Sequence, residues 1–207
     1  MKVLISGFEP FGGEKLNSAM EAVRHLNLEI GGVELVKVIL PTVFDKSTET
    51  LIALIEKETP EVVICVGQAG GRTDISIERV AINIKDAALP DNEKNFPKDL
   101  PIAEDGPAAL FSTLPIKKIA KRIRDGNIPS SISNTAGTFV CNQVMYSLLH
   151  YIETNNLQIK GGFVHVPYLP SQVLDKRLSS MDLALIVKGL ALAIEAAIEE
   201  NVTGKKD

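Results

Sequence analysis

Strand-like and helix-like hydrophobic patterns alternate along the first third of this chain. Lys2 to Gly7 is a continuous apolar run ended by glycine, the pattern of a strand buried on both faces. Asn17 or Ser18 can cap a helix running to about Leu26, and Val33 to Leu40 reads as a second strand stopped by Pro41. Asp45 or Ser47 opens a helix with Leu51, Leu54 and Ile55 on one face, ended before Pro60. Val62 to Val66 is a third buried strand, ending at Gly67. Such βαβ units predict a parallel sheet covered by helices.

The middle breaks this rhythm. Ile75 to Ile84 reads as extended, and the stretch from there to Phe111 is rich in Pro, Asp, Asn and Glu. A loop that long is often functional. Regular patterning resumes with a helix at Ile116 to Arg124 closed by Gly126, and a short strand near Ser130 to Ser133. A helix containing Cys141, a strand closed by His165 and a final helix from about Met181 to Glu200 follow. The last carries an apolar face of Leu183, Leu185, Ile186, Val187, Leu190, Leu192 and Ile194, broad for a solvent-covered helix, which suggests self-association, with simple docking on the sheet as the alternative. With no repeat, linker or low-complexity segment, residues 1–207 are expected to form one α/β domain. Its expected architecture is a three-layer α/β/α sandwich with a mostly parallel central sheet.

Composition narrows the function. A chain 45% hydrophobic and 23% charged has an ordinary globular balance. A net charge of -4 without any basic run argues against a nucleic-acid partner. The apolar start is too short for a signal peptide, and no run approaches a membrane span. Two cysteines exclude a disulfide scaffold, and a reduced cytoplasmic setting is the simplest reading.

The chemistry concentrates in two segments. Thr135-Ala136-Gly137-Thr138-Phe139-Val140-Cys141-Asn142 puts a cysteine in the first turn of a helix, behind a small-residue loop. Free N–H groups and the positive end of the helix dipole there favour a thiolate. In Phe163-Val164-His165-Val166-Pro167, His165 sits at the carboxyl end of a strand, where open α/β sheets place their ligands. A Cys and a His so placed make a candidate nucleophile and base. Cys65, inside Val62-Val63-Ile64-Cys65-Val66, reads as an inert core residue, and His25 and His150 read as surface residues. Position alone leaves Cys141 open to the same core reading. Glu78 is the candidate third group, placed by period-two alternation on a face with Val80, Ile82 and Ile84 and away from Arg79. A strand-edge Glu in water is its bland alternative. Two Gly-rich turns, Phe11-Gly12-Gly13-Glu14-Lys15 and Gly67-Gln68-Ala69-Gly70-Gly71-Arg72, leave a nucleotide or phosphate binder as a rival, although neither matches a phosphate-loop motif. A glutamine deamidase with the same three groups is a second rival.

Phe8-Glu9-Pro10-Phe11-Gly12-Gly13, Ser76-Ile77-Glu78-Arg79, Pro90-Asp91-Asn92, Phe139-Val140-Cys141-Asn142 and the His165 segment resemble, in this order, the pyroglutamyl peptidase I family. The resemblance implies a Glu78/Cys141/His165 triad, a phosphorylase/hydrolase-like α/β fold, and a cytosolic, cofactor-free enzyme that binds no metal and commonly forms a homotetramer. The implied substrates are peptides bearing an N-terminal pyroglutamyl residue, a lactam without a charged amine. Such a ring calls for apolar walls and a few amide hydrogen bonds. Phe8 and Phe11 are expected to sandwich it, helped by Phe139, Val140 and Thr42, with the Gln68 loop reaching the lactam. Family members tend to carry arginine where this chain has Ala88, which puts any contact from that arginine in doubt.

Overall fold

Parallel pairing in the amino-terminal half follows from its short βαβ connections. The computed structural model describes residues 1–27 and 32–203. Strands β1 (Lys2–Phe8), β2 (Glu34–Leu40) and β3 (Val62–Gln68) are linked through helices α1 (Ser18–His25) and α2 (Lys46–Glu58). Asn17 caps α1, its side-chain oxygen accepting from the Ala19 and Met20 amides. After these come β4 (Ile75–Glu78), β5 (Val80–Ile82), β6 (Ala109–Phe111), α3 (Ile116–Asp125), β7 (Ser130–Ser133), α4 (Val140–Thr154), β8 (Lys160–Val166) and α5 (Leu183–Thr203).

The central sheet runs β2-β1-β3-β8-β4-β7. The first four strands are mutually parallel, and β4 and β7 run the other way, antiparallel to β8. Helices α1, α3 and α5 bury one face against Val3, Ile5, Ile64, Val66 and Val164. Helices α2 and α4 bury the other against Leu4, Val63, Cys65 and Phe163. The layers are those expected of an α/β/α sandwich, with an alternation of core faces along each strand.

Two expectations need correction. Ile75 to Ile84 is not one strand: it breaks at Arg79, and β5 peels away to pair with β6 in a separate two-stranded sheet. Asn142 of α4 holds the departing segment, donating to the Ile82 and Ile84 carbonyls at 2.9 and 3.0 Å and accepting from the Ile82 amide at 3.0 Å. Glu78 therefore does not share a sheet face with Val80 and Ile82. The apolar face of α5 is also largely consumed within the chain. Ile186, Leu190 and Ile194 are fully buried, Leu183, Val187 and Leu192 pack at the rim of the core, and Leu185 is exposed.

Candidate active site

Sheet register brings the candidate residues to one place. Gly67 of β3 pairs with His165 of β8, and Ser76 of β4 lies opposite His165 on the other side. Glu78, two residues past Ser76, falls on the same face one step below the sheet edge, which explains its complete burial. His165 Nδ1 lies 2.7 Å from Glu78 Oε1, and the imidazole packs on the Phe163 ring with centroids 4.8 Å apart. Cys141 approaches from above, as the second residue of α4. Its neighbour Asn142 is pinned as described, and Gln143 accepts from the Asp45 amide at 3.1 Å, so the first turn of α4 is fastened on two sides.

Cys141 and His165 line one cavity of about 330 Å³, together with Phe11, Gln68, Asp86, Ala88, Leu89, Ala136, Thr138 and Phe139. A volume of this order suits a small ligand. Two hydrogen bonds join its walls: the Asp86 amide donates to the Thr138 carbonyl at 2.9 Å, and the Thr138 hydroxyl to the Asp86 carbonyl at 2.7 Å. Asp91 organises the rest of that loop, accepting from the amides of Phe44, Glu93 and Asn95 at 2.8 to 2.9 Å.

The phenylalanines do not form a sandwich. Phe8 is 2% exposed and packs on Phe163 beneath the site, in the core rather than on the cavity wall. Phe11 does line the cavity, but its ring contacts Phe139 directly, centroids 5.8 Å apart. An inserted ring would need about 7 Å between slabs, twice a carbon–carbon contact, so these two rings form one continuous wall. Val140 is fully buried in the core, and Thr42 spends its hydroxyl on the Glu9 carbonyl at 2.7 Å. Gln68 lines the cavity, yet its side-chain oxygen accepts from the Ser18 amide at 2.8 Å and from Gln172 at 2.9 Å.

Electrostatics differ from the expected thiolate. Burial, followed by the charge of Glu78, pushes the Cys141 thiol up to about 12, while Arg72 and the Cys141 amide oppose this more weakly. Desolvation outweighs the helix start. The resting sulfur is a neutral thiol that remains partly open to the cavity. Burial likewise pushes Cys65 to about 12, and it lies closed within the core. His165 is lowered, chiefly by burial, against the upward pull of Glu78. Glu78 stays below the ordinary carboxylate range although burial works the other way, held there by His165, Ser133 and Arg72. Its cation is therefore Arg72, whose Nη1 donates to Glu78 Oε1 at 2.7 Å, whereas Arg79 turns outward to Asn134. The sequence signal for Arg72 was slight: a buried carboxylate needs a cation, and Arg72 ends the second Gly-rich turn. Asp86 was also missed as a wall residue. Among the described residues no group of three His, Cys, Asp or Glu side chains is arranged to hold a metal ion. No described helix is long and apolar enough to cross a membrane.

A neutral thiol, a neutral imidazole and a buried carboxylate at the carboxyl edge of a mostly parallel sheet have the parts for acyl transfer through sulfur. The chain belongs to the pyroglutamyl peptidase family, whose model matches residues 1–200. It is 57% identical over 201 residues to the pyrrolidone-carboxylate peptidase of Thermosipho africanus, covering 97% of this chain and 98% of that one. The crystal structure of Bacillus amyloliquefaciens pyroglutamyl peptidase I superposes with a TM-score of 0.93 at 47% identity, over 96% of this chain and 97% of that one. A mutant pyrrolidone carboxyl peptidase from the hyperthermophile Pyrococcus furiosus gives 0.94 at 44%, over 97% and 99% of the two chains.

Proposed function

We propose that this protein removes the N-terminal pyroglutamyl residue from peptides, with Cys141 as nucleophile, His165 as base and then acid, and Glu78 orienting the imidazole. The observation that carries this reading is the meeting of Cys141 and His165 on one cavity while Glu78 Oε1 stands 2.7 Å from His165 Nδ1. That contact selects the tautomer with hydrogen on Nδ1, leaving Nε2 free to accept a proton.

In acylation Nε2 takes the thiol proton as sulfur bonds to the pyroglutamyl carbonyl carbon. The resulting imidazolium then gives its proton to the departing peptide nitrogen as the C–N bond breaks. In deacylation Nε2 takes a proton from water, whose oxygen bonds to the thioester carbon, and the proton returns to sulfur as the C–S bond breaks. The first N–H groups of α4 lack intrahelical carbonyls and stabilise the oxyanion. Phe11 and Phe139 offer the lactam a continuous apolar wall. Cofactor independence, a cytoplasmic setting and homotetrameric assembly belong to the same reading, through the family.

The test is hydrolysis of a pyroglutamyl-coumarin amide beside its glutaminyl analogue. Turnover of the first alone is expected. Turnover of the second, or release of ammonia from glutamine, would favour a deamidase.

A further inference from the structure

The turn after β3 ends in a residue for which the reaction so far has no use. Arg72 reaches back from it with both arms of its guanidinium. Nη1 donates to Glu78 Oε1 at 2.7 Å, and Nη2 donates to the Thr135 carbonyl at 3.2 Å. His165 Nδ1 meets the same Glu78 oxygen, also at 2.7 Å. Thr135 belongs to the loop that leads into α4 and Cys141, and the Ser133 hydroxyl donates to the same Thr135 carbonyl at 3.0 Å. The fork thus joins the carboxylate behind the imidazole to the loop that places the thiol.

We propose that Arg72 is a positioning residue for hydrolysis: it offsets part of the charge of Glu78, adding to burial in keeping His165 a neutral base, and it ties the Cys141 loop to the same carboxylate. This rests on the assignment of Cys141 and His165 made above. A buried carboxylate in contact with imidazole would by itself favour imidazolium, which cannot accept a proton. Burial is the main force against that pull, and a guanidinium on the same oxygen, charged at any working pH, takes up a further part of it. Around His165 the titratable and charged groups are Glu78 and, through Ser76, Asp74 from the β4 side, Cys141 from α4, Cys65 from β3, Arg72 from the turn and Asp86 on the cavity wall. Arg72 acts on His165 downward and on Cys141 downward, in keeping with this role.

The experiment compares kcat/KM against pH for the wild type, Arg72→Gln, Glu78→Gln and the double variant, with the pH dependence of Cys141 alkylation by iodoacetamide as a second readout. Removing a positive charge raises the proton affinity of the Glu78–His165 pair whichever member takes the proton. Arg72→Gln should move the acid limb up by about one pH unit, Glu78→Gln should move it down, and the double variant should bring it back toward wild type. Arg72→Lys should restore most of the limb but not the full rate, since a point charge cannot bridge Glu78 and Thr135 as a fork does. If Arg72→Gln does not fold, the rise on adding it to the Glu78→Gln background carries the test. A limb unmoved by loss of Arg72, with only the rate or the melting temperature lowered, overturns the proposal and leaves the site assignment standing. Alkylation that maps to Cys65, or activity that survives Cys141→Ser, overturns the site assignment instead.

Discussion

A Cβ placed on Gly67 would lie 2.9 Å from the Cys141 sulfur and 2.8 Å from the Phe163 ring. The thiol occupies space that only a glycine in β3 leaves open. Gly67→Ala should therefore displace the sulfur or the ring beneath His165. Overpacking of this kind costs about 1–3 kcal/mol of stability, and a misplacement of ångström size costs rate on the order of 10²-fold. Melting curves and kcat on the same variant check this; an alanine enzyme with wild-type kcat would place the thiol elsewhere.

The two cysteines separate cleanly. Cys141→Ala and His165→Ala should each abolish turnover, a loss on the order of 10⁶-fold, with Glu78→Gln less severe at roughly 10⁴-fold. Cys65→Ala should keep most activity, because its thiol lies closed between β3 and the helical layer. Initial rates on the coumarin substrate decide, and a dead Cys65→Ala enzyme with a normal melting curve would reverse the assignment.

The pH dependence follows from burial. His165 is held below its ordinary value of 6.5, so the base remains unprotonated at neutral pH and activity should fall only in the acid range beneath that value. The thiol, raised to about 12, should produce no ionisation step between pH 7 and pH 10. Stability moves with the same sign. An unfolded chain binds a proton on His165 more tightly than the native one, so stability is lost as pH falls below 6.5 through the lowered native value. Profiles of kcat/KM and of melting temperature test both, and an alkaline limb near pH 8 would mean a far more acidic thiol.

Phe8 and Phe11 should part company. Phe8→Ala empties a core position and should cost about 3–5 kcal/mol with KM nearly unchanged. Phe11→Ala removes cavity wall and should raise KM while sparing stability. Raised KM in Phe8→Ala and none in Phe11→Ala would contradict the wall seen here.

Assembly is expected to be tetrameric. The apolar face of α5 is mostly buried within the chain, so it supplies no argument for association, and the expectation rests on the family. Light scattering at micromolar concentration should return four times the chain mass, and a monomeric mass would refute it.

Much of this protein was written in its local sequence. Apolar runs ended by Gly or Pro marked β1, β2, β3 and β8, most clearly β1 and β3, because a strand covered on both faces must be apolar throughout. Asn17 announced α1, and short segments around Glu78, Cys141 and His165 marked the candidate chemistry. Tertiary structure decided what depends on distant neighbours. The reversal of β4 against β8 buried Glu78, and beyond the break at Arg79 Asn142 holds the departing segment. Packing beneath the site took Phe8 for the core and left Phe11 on the cavity. The charge states depended on it most. A helix start in the sequence promised a thiolate, but desolvation grows with everything packed around a group, and only the folded chain shows that Cys141 is closed in enough to stay neutral and that Arg72, not Arg79, answers Glu78.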